Sequence, residues 1–191
     1  ETVTVKPISQ QSDDTLGSYS ALTDRKIKLD TAKKYGVKVV HDLQGKVVKH
    51  FYPYYNGHEL SATKVRNVKS KDFFINGSYN DTGLFGQQLF KSGKYVTITE
   101  GECDAMAAYE LLGSKWAVVS IKRGAQGAVR DIKESLEFFD DFENVIISFD
   151  NDKAGKEASK KVARLFKPSK ARIMTLPTGC KDPNDMLRQN K

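Results

Sequence analysis

Apolar and polar positions follow two different rhythms along this chain, and the change falls near Lys91-Ser92-Gly93. Beyond that point, short apolar runs alternate with helix-patterned stretches. Tyr95–Thr99, Trp116–Ile121, Asn144–Phe149 and Ala171–Leu176 are predicted strands. Asp104–Leu112, Gln126–Phe139 and Ala154–Phe166 are predicted helices, with a short final one over Asn184–Gln189. Such alternation implies βαβ units: an α/β fold with a mostly parallel sheet flanked by helices. Upstream, Leu29–Tyr35 reads as a short helix, with Asp30 as its cap and Gly36 as its stop. Val37–His41 and Lys46–Tyr54 are rich in β-branched and aromatic residues, and Gln44-Gly45 between them predicts a hairpin. Asn56-Gly57 marks a second turn, followed by a basic strand over Ala62–Val68. The expected organisation is a polar lead-in over 1–18, a small basic α+β subdomain over 19–90 and an α/β subdomain over 91–191.

A length of 191 residues suits one domain, or two small ones sharing an interface, with a real core. No run approaches a membrane span and no apolar signal-peptide core opens the chain, so a soluble protein is expected. Its two cysteines, Cys103 and Cys180, form no CxxC, which argues against a disulfide framework or zinc ribbon and fits a reducing cytoplasm. One thiol without a patterned histidine is weak ground for a nucleophile. The formal charge is +7, and Lys64, Arg66, Lys69 and Lys71 crowd residues 60–71 without an acid. A basic surface favours polyanions such as nucleic acid or nucleoside triphosphates, although a solubilising surface has the same composition.

Acidic clusters change the picture more. Thr99-Glu100-Gly101-Glu102-Cys103-Asp104, Phe149-Asp150-Asn151-Asp152 and Lys181-Asp182-Pro183-Asn184-Asp185 each follow a predicted strand. In an open parallel sheet the C-terminal strand ends share one edge, where ligands bind. Carboxylates gathered there repel and raise one another's pKa unless a cation sits among them. The cation suited to an all-oxygen carboxylate site is magnesium or manganese. Asp150 and Asp152, two apart on an extended segment, would face one ion, as would Glu100 and Glu102. Helix capping is the competing role for Asp152, Asp104 and Asp182.

The order strand–EGExD, strand–DxDxAG, strand–KDPND resembles the TOPRIM domain shared by primases, type IA and II topoisomerases and OLD-family nucleases. Asp150-Asn151-Asp152-Lys153-Ala154-Gly155-Lys156-Glu157-Ala158 looks like a primase version of that motif. Tyr19-Ser20-Ala21-Leu22-Thr23-Asp24-Arg25, Lys64-Val65-Arg66 and Leu84-Phe85-Gly86 extend the likeness to the RNA-polymerase domain of phage primase–helicases, relatives of Twinkle and of bacterial replicative primases. The likeness covers about residues 19–188. The cysteines of a zinc-binding domain and a Walker A sequence are both missing from this chain. The loop Ile121-Lys122-Arg123-Gly124-Ala125 also departs from the family's glycine-rich turn; it reads as an exposed basic turn, with phosphate contact by Lys122 and Arg123 as the alternative.

The resemblance implies a DNA primase that synthesises short RNA primers on single-stranded DNA by metal-dependent nucleotidyl transfer. It implies Glu100, Asp150 and Asp152 as catalytic metal ligands, with Glu102, Asp104 and Asp182 as further ligands, direct or through water. Magnesium or manganese is the implied cofactor, as one ion or as two, which at roughly 3.5–4 Å apart can clamp both the attacking and leaving oxygens. Lys64, Arg66, Lys69, Lys71 and Arg25 would hold the triphosphate and DNA. Implied partners are the template strand, ribonucleoside triphosphates, a zinc-binding domain and a hexameric helicase domain. Tyr54, Phe73, Phe74 and Tyr79 could stack on bases, against the expectation that most are core. A TOPRIM nuclease and an inactive nucleic-acid-binding TOPRIM module are the alternatives. A haloacid-dehalogenase phosphatase would need more sheet than the forty or so residues after Asp150 provide, about thirty being required per crossover unit. A topoisomerase would need a tyrosine nucleophile on another domain.

Overall fold

The structure, a computed structural model, describes residues 17–191. Most of the expected lead-in lies outside these residues; Ser18 pairs with Val39 through both backbone bonds. Helix α1 (Leu29–Tyr35) ends at Gly36, whose φ of 73° is the left-handed conformation glycine adopts freely. Its N-cap is Lys28; Asp30 instead lies inside the first turn, where its charge favours the helix dipole.

Strands β1 (Lys38–His41), β2 (Val47–Asn56), β3 (Glu59–Asn67) and β4 (Phe73–Gly77) form an antiparallel sheet in sequential order. The β1–β2 hairpin is closed by Asp42, whose Oδ1 accepts from the backbone N–H groups of Gln44 and Lys46. Strand β4 is absent from the sequence reading. It is short and mostly exposed, so it shows no buried face for a period-two pattern to reveal.

The second sheet is wholly parallel. It contains β5 (Gly93–Thr99), β6 (Ala117–Ser120), β7 (Phe142–Ser148) and β8 (Ala171–Ile173) in the order β6-β5-β7-β8. Its helices are α2 (Glu102–Leu111), α3 (Gly124–Glu134), α4 (Leu136–Asp140), α5 (Lys153–Ala163) and α6 (Pro183–Gln189). The single helix expected over 126–139 is divided at Ser135, which ends α3 and opens α4. The chain leaves β5 towards β6 through α2, crosses back to β7 and then runs outward to β8 through α5. Right-handed crossovers in opposite directions put α2 on one face and α5 on the other. The C-terminal ends of β5 and β7 therefore flank the point where strand order reverses, which is where open α/β sheets hold ligands.

Helix α2 is buried on nearly all sides, as befits a helix covered on both flanks. Cys103, Ala105, Met106 and Ala108 share one core with Tyr35, Tyr52, Tyr54, Phe85 and Val118, which joins the antiparallel sheet and α1 to the parallel sheet. Tyr35 and Phe85 stack at 5.4 Å, and the Tyr35 hydroxyl donates to the Val118 carbonyl at 2.9 Å. A second core packs α3, α4 and α5 on β5 and β7 through Ile98, Ile132, Phe139, Ile147 and Val162.

Candidate active site

Strand β5 is buried to Thr99, so its end delivers Glu100 to the switch point. Glu100 Oε1 accepts from the Ala125 N–H at 3.2 Å, at the first turn of α3, and Oε2 from the Asp150 N–H at 3.4 Å. One carboxylate thus ties the ends of β5 and β7 together. Burial, then the neighbouring Asp150 carboxylate, raises the Glu100 pKa above its ordinary value.

Among the described residues, Asp104, Asp150 and Asp182 each offer a carboxylate oxygen within 4.8 Å of the others. Asp104 stands on the first turn of α2, Asp150 follows β7 and Asp182 precedes α6. Two unit charges at 4.8 Å repel by about 3–4 kcal/mol at an effective dielectric near 20. Burial and then Asp182 and Asp150 push the Asp104 carboxyl well above the usual range. Burial likewise raises Asp150, opposed by the Lys181 ammonium 3.0 Å from its Oδ2. The side-chain Oδ1 of Asn184 is buried without a partner, while its backbone N–H donates to Asp104 at 3.2 Å. An all-oxygen group of crowded carboxylates beside an orphaned amide oxygen fits a hard divalent cation. At Gly101 an added Cβ would stand 2.7 Å from Asp104 Oδ2, so the absence of a side chain there lets the carboxylate fold back against the turn.

The remaining expected ligands are placed differently. Asp152 is exposed and caps α5, its Oδ1 accepting from Gly155 N–H at 2.9 Å. It still acts electrostatically on Glu100 and Asp150. Glu102 opens α2 and turns away, into the antiparallel sheet. It is buried, and its Oε1 accepts from Tyr54 Oη and Lys64 Nζ, both at 2.7 Å. Burial pushes its pKa up, but Lys64 and Tyr54 together hold it below the ordinary value. Asp104 does not cap α2, whose N-cap is Gly101; Asp182 does cap α6, accepting from Asp185 N–H at 2.7 Å.

Of the basic candidates, Lys64 is held between Glu102 and the Phe73 ring, 4.6 Å from its centroid. Arg66 follows two residues on, along the same strand. Lys69 and Lys71 are exposed in the β3–β4 turn. Arg25 belongs to a 3-10 turn over Thr23–Arg25 whose carbonyl accepts from Asn184 Nδ2 at 2.9 Å, and it lies within electrostatic reach of Asp104. Tyr54 is core and Tyr79 partly so, packed edge-on at 4.8 Å, while Phe73 and Phe74 are about half exposed. Cys103 is buried against Tyr52 Oη at 3.1 Å, and burial pushes its thiol up to about 12, so it is no nucleophile.

Lys122 corrects the expectation of an exposed basic turn. It is buried, with Nζ donating to the carbonyls of Thr82 at 2.5 Å and Asn80 at 3.4 Å. Its backbone N–H donates to buried Asp131, which also pairs with Arg123. A basic pair gives no sign of direction; only the arrival of the 79–82 loop shows that Lys122 points inward. A network of Asp24, His50, Tyr52 and Cys103 adjoins Arg25 and leaves no motif in the sequence, because Asp24, the His50–Tyr52 pair and Cys103 come from three separate stretches.

Residues 97–187 match the Toprim-like family. The DNA helicase/primase of Enterobacteria phage T3 is 38% identical over 174 residues, covering 90% of this chain, which spans 30% of that protein's length. The crystal structure of the primase fragment of the bacteriophage T7 primase–helicase superposes with a TM-score of 0.80 at 34% identity, over 97% of this chain and 79% of that one. A second match is a complex of the bacteriophage T7 lagging-strand DNA polymerase interacting with primase domains of two gp4 subunits bound to an RNA/DNA hybrid and dTTP. It has a TM-score of 0.80 at 36% identity, over 91% of this chain and 87% of that one. With the acidic rim at the switch point and likeness at this level along nearly its whole described length, the chain belongs to the family of TOPRIM primase domains of phage primase–helicases.

Proposed function

We propose that this chain is the RNA-polymerase unit of a DNA primase, joining ribonucleotides on a single-stranded DNA template. The observation that carries the reading is the meeting of Asp104, Asp150 and Asp182, from three separate stretches of chain, beside Glu100 at the strand-order reversal. Residues 91–191 form the catalytic subdomain in this reading, and residues 19–90 the basic wall.

Asp150, Asp104 and Asp182 would hold the metal, with Asp152 close enough to support it through water. A bound magnesium or manganese ion would sharpen the 3′-hydroxyl as a nucleophile and neutralise charge on the α-phosphate and the departing pyrophosphate. The 3′-oxygen forms a bond to the α-phosphorus while the bond from the α-phosphorus to the pyrophosphate oxygen breaks. Glu100, fixed by two backbone N–H groups, completes the ligand set or takes the hydroxyl proton. Arg66, Lys69, Lys71 and Arg25 face the polyanions. Guanidinium groups grip phosphate through two hydrogen bonds and ammonium groups act as point charges. Lys64 would contribute by steadying this wall through Glu102. A zinc-binding domain and a hexameric helicase domain, in the same protein or in trans, are the proposed partners, and the host cytoplasm is the proposed place of action.

The test supplies single-stranded DNA, ribonucleotides, a dinucleotide primer and magnesium. Short RNA products are expected from the wild-type chain. Asp150→Asn should abolish condensation while thermal unfolding and DNA affinity stay near wild type; full activity in that variant would remove Asp150 from the site. Cleavage of the DNA in place of RNA synthesis would turn the reading to a nuclease.

A further inference from the structure

Lys181 combines a fixed backbone with a loose side chain. Its carbonyl accepts from the Asn151 N–H at 2.7 Å, and its own N–H donates to Asp185 Oδ2 at 3.1 Å. The loop after β8 is thereby tied to the loop carrying Asp150. Beyond this anchor the side chain is 59% exposed, and its ammonium meets Asp150 Oδ2 at 3.0 Å, where that carboxylate is only 14% exposed. Lys64 and Lys122 differ in kind. Lys64 is held between a buried carboxylate and an aromatic ring, and Lys122 is enclosed by carbonyls. Lys181 has the one short ion pair and water around the rest of its stem.

Asp150 cannot serve the ammonium and a divalent cation equally. Two positive centres on one carboxylate repel, and the exposed, flexible partner is the one that yields. Once displaced, the ammonium stays tethered by its stem above the acidic edge, where a triphosphate would bring several negative charges. We propose that Lys181 is an exchangeable counter-ion: it neutralises Asp150 before a divalent cation binds, then turns to the phosphates of the incoming nucleotide. The inference rests on the metal-dependent reading above and adds a residue and an order of events to it.

The experiment measures Mn²⁺ uptake directly, by calorimetry or by the loss of the free-ion electron-paramagnetic-resonance signal, without nucleotide. It compares wild type with Lys181→Ala and Lys181→Arg, and then measures the ribonucleotide KM in dinucleotide-primed synthesis. Lys181→Ala should bind Mn²⁺ about two- to fivefold more tightly, the scale of a partly exposed ion pair, and should raise KM with little change in kcat. Lys181→Arg should restore KM towards wild type. Unchanged or weaker Mn²⁺ binding in Lys181→Ala would overturn the exchange, and so would an unchanged KM. A wild-type chain that takes up no Mn²⁺ would remove the catalytic reading itself, whereas normal uptake and synthesis unaffected by Lys181→Ala would remove only the lysine's part. Matching melting curves confirm that these exposed substitutions leave the fold intact.

Discussion

At the scale of single residues, direction decides more than spacing. Glu100 and Glu102 stand two apart and, on an extended strand, would share a face. The strand has ended by Thr99, and the turn at Gly101 sends Glu102 into the antiparallel sheet. Its buried pairing with Lys64 and Tyr54 has a measurable consequence. Because the folded-state pKa lies below the ordinary 4.5, the pair's contribution is fully present above that value and is lost as pH falls through the folded pKa. Glu102→Gln keeps an acceptor for Tyr54 but strips the charge facing Lys64, which should lower stability by about 2–3 kcal/mol near neutral pH. The deficit should shrink steadily as urea-unfolding measurements move below pH 4.5. A deficit independent of pH would mean that the side chain matters for shape alone. The gathering of acids from the segments after β5, β7 and β8 was legible because each acidic cluster follows a strand, but the sequence put Glu100, Asp150 and Asp152 foremost, not Asp104, Asp150 and Asp182; Glu102's role was hidden because it depends on a tyrosine and a lysine some 48 and 38 residues away in sequence.

At the scale of elements, helix α5 is packed almost on top of the loop that carries Asp150. A Cβ at Gly155 would run into the backbone of Asp150, so the helix start and the loop fit only without a side chain. Gly155→Ala should therefore push Asp150 away from its partners, lowering stability by about 1–3 kcal/mol and cutting primer synthesis by far more than that loss of folded protein explains. Activity per folded molecule, read alongside a melting curve, checks it; an unchanged specific activity would show that the loop tolerates the shift. The central strands β5 and β6 were readable because their apolar runs are largely buried, while β8, at the sheet edge, is short and mostly exposed. Strand β4 was not, since an exposed edge carries little pattern, and the pause at Ser135 lies inside a continuous helical rhythm.

At the scale of the whole molecule, the antiparallel and parallel sheets are joined by a shared core and by polar ties. Lys122 reaches from β6's end to the carbonyls of the 79–82 segment, and Phe85 bridges to Ser120. Replacing Lys122 with methionine keeps the volume but leaves those carbonyls without a donor, which should lower stability by about 2–4 kcal/mol. Hydrogen exchange should quicken in the 79–82 segment before either sheet, and equal protection throughout would mean that the tie carries no load of its own. The carboxylate group has a further consequence in time. Asp104 and Asp150 leave the ribosome before Asp182, and α6, which Asp182 caps, is the piece that sets Asn184 against both Asp104 and Arg25. A nascent chain stalled ahead of Asp182 would expose two mutually repelling acids with no third member, so stalled chains of increasing length should gain manganese affinity in a single step, once Asp182 and α6 have been added.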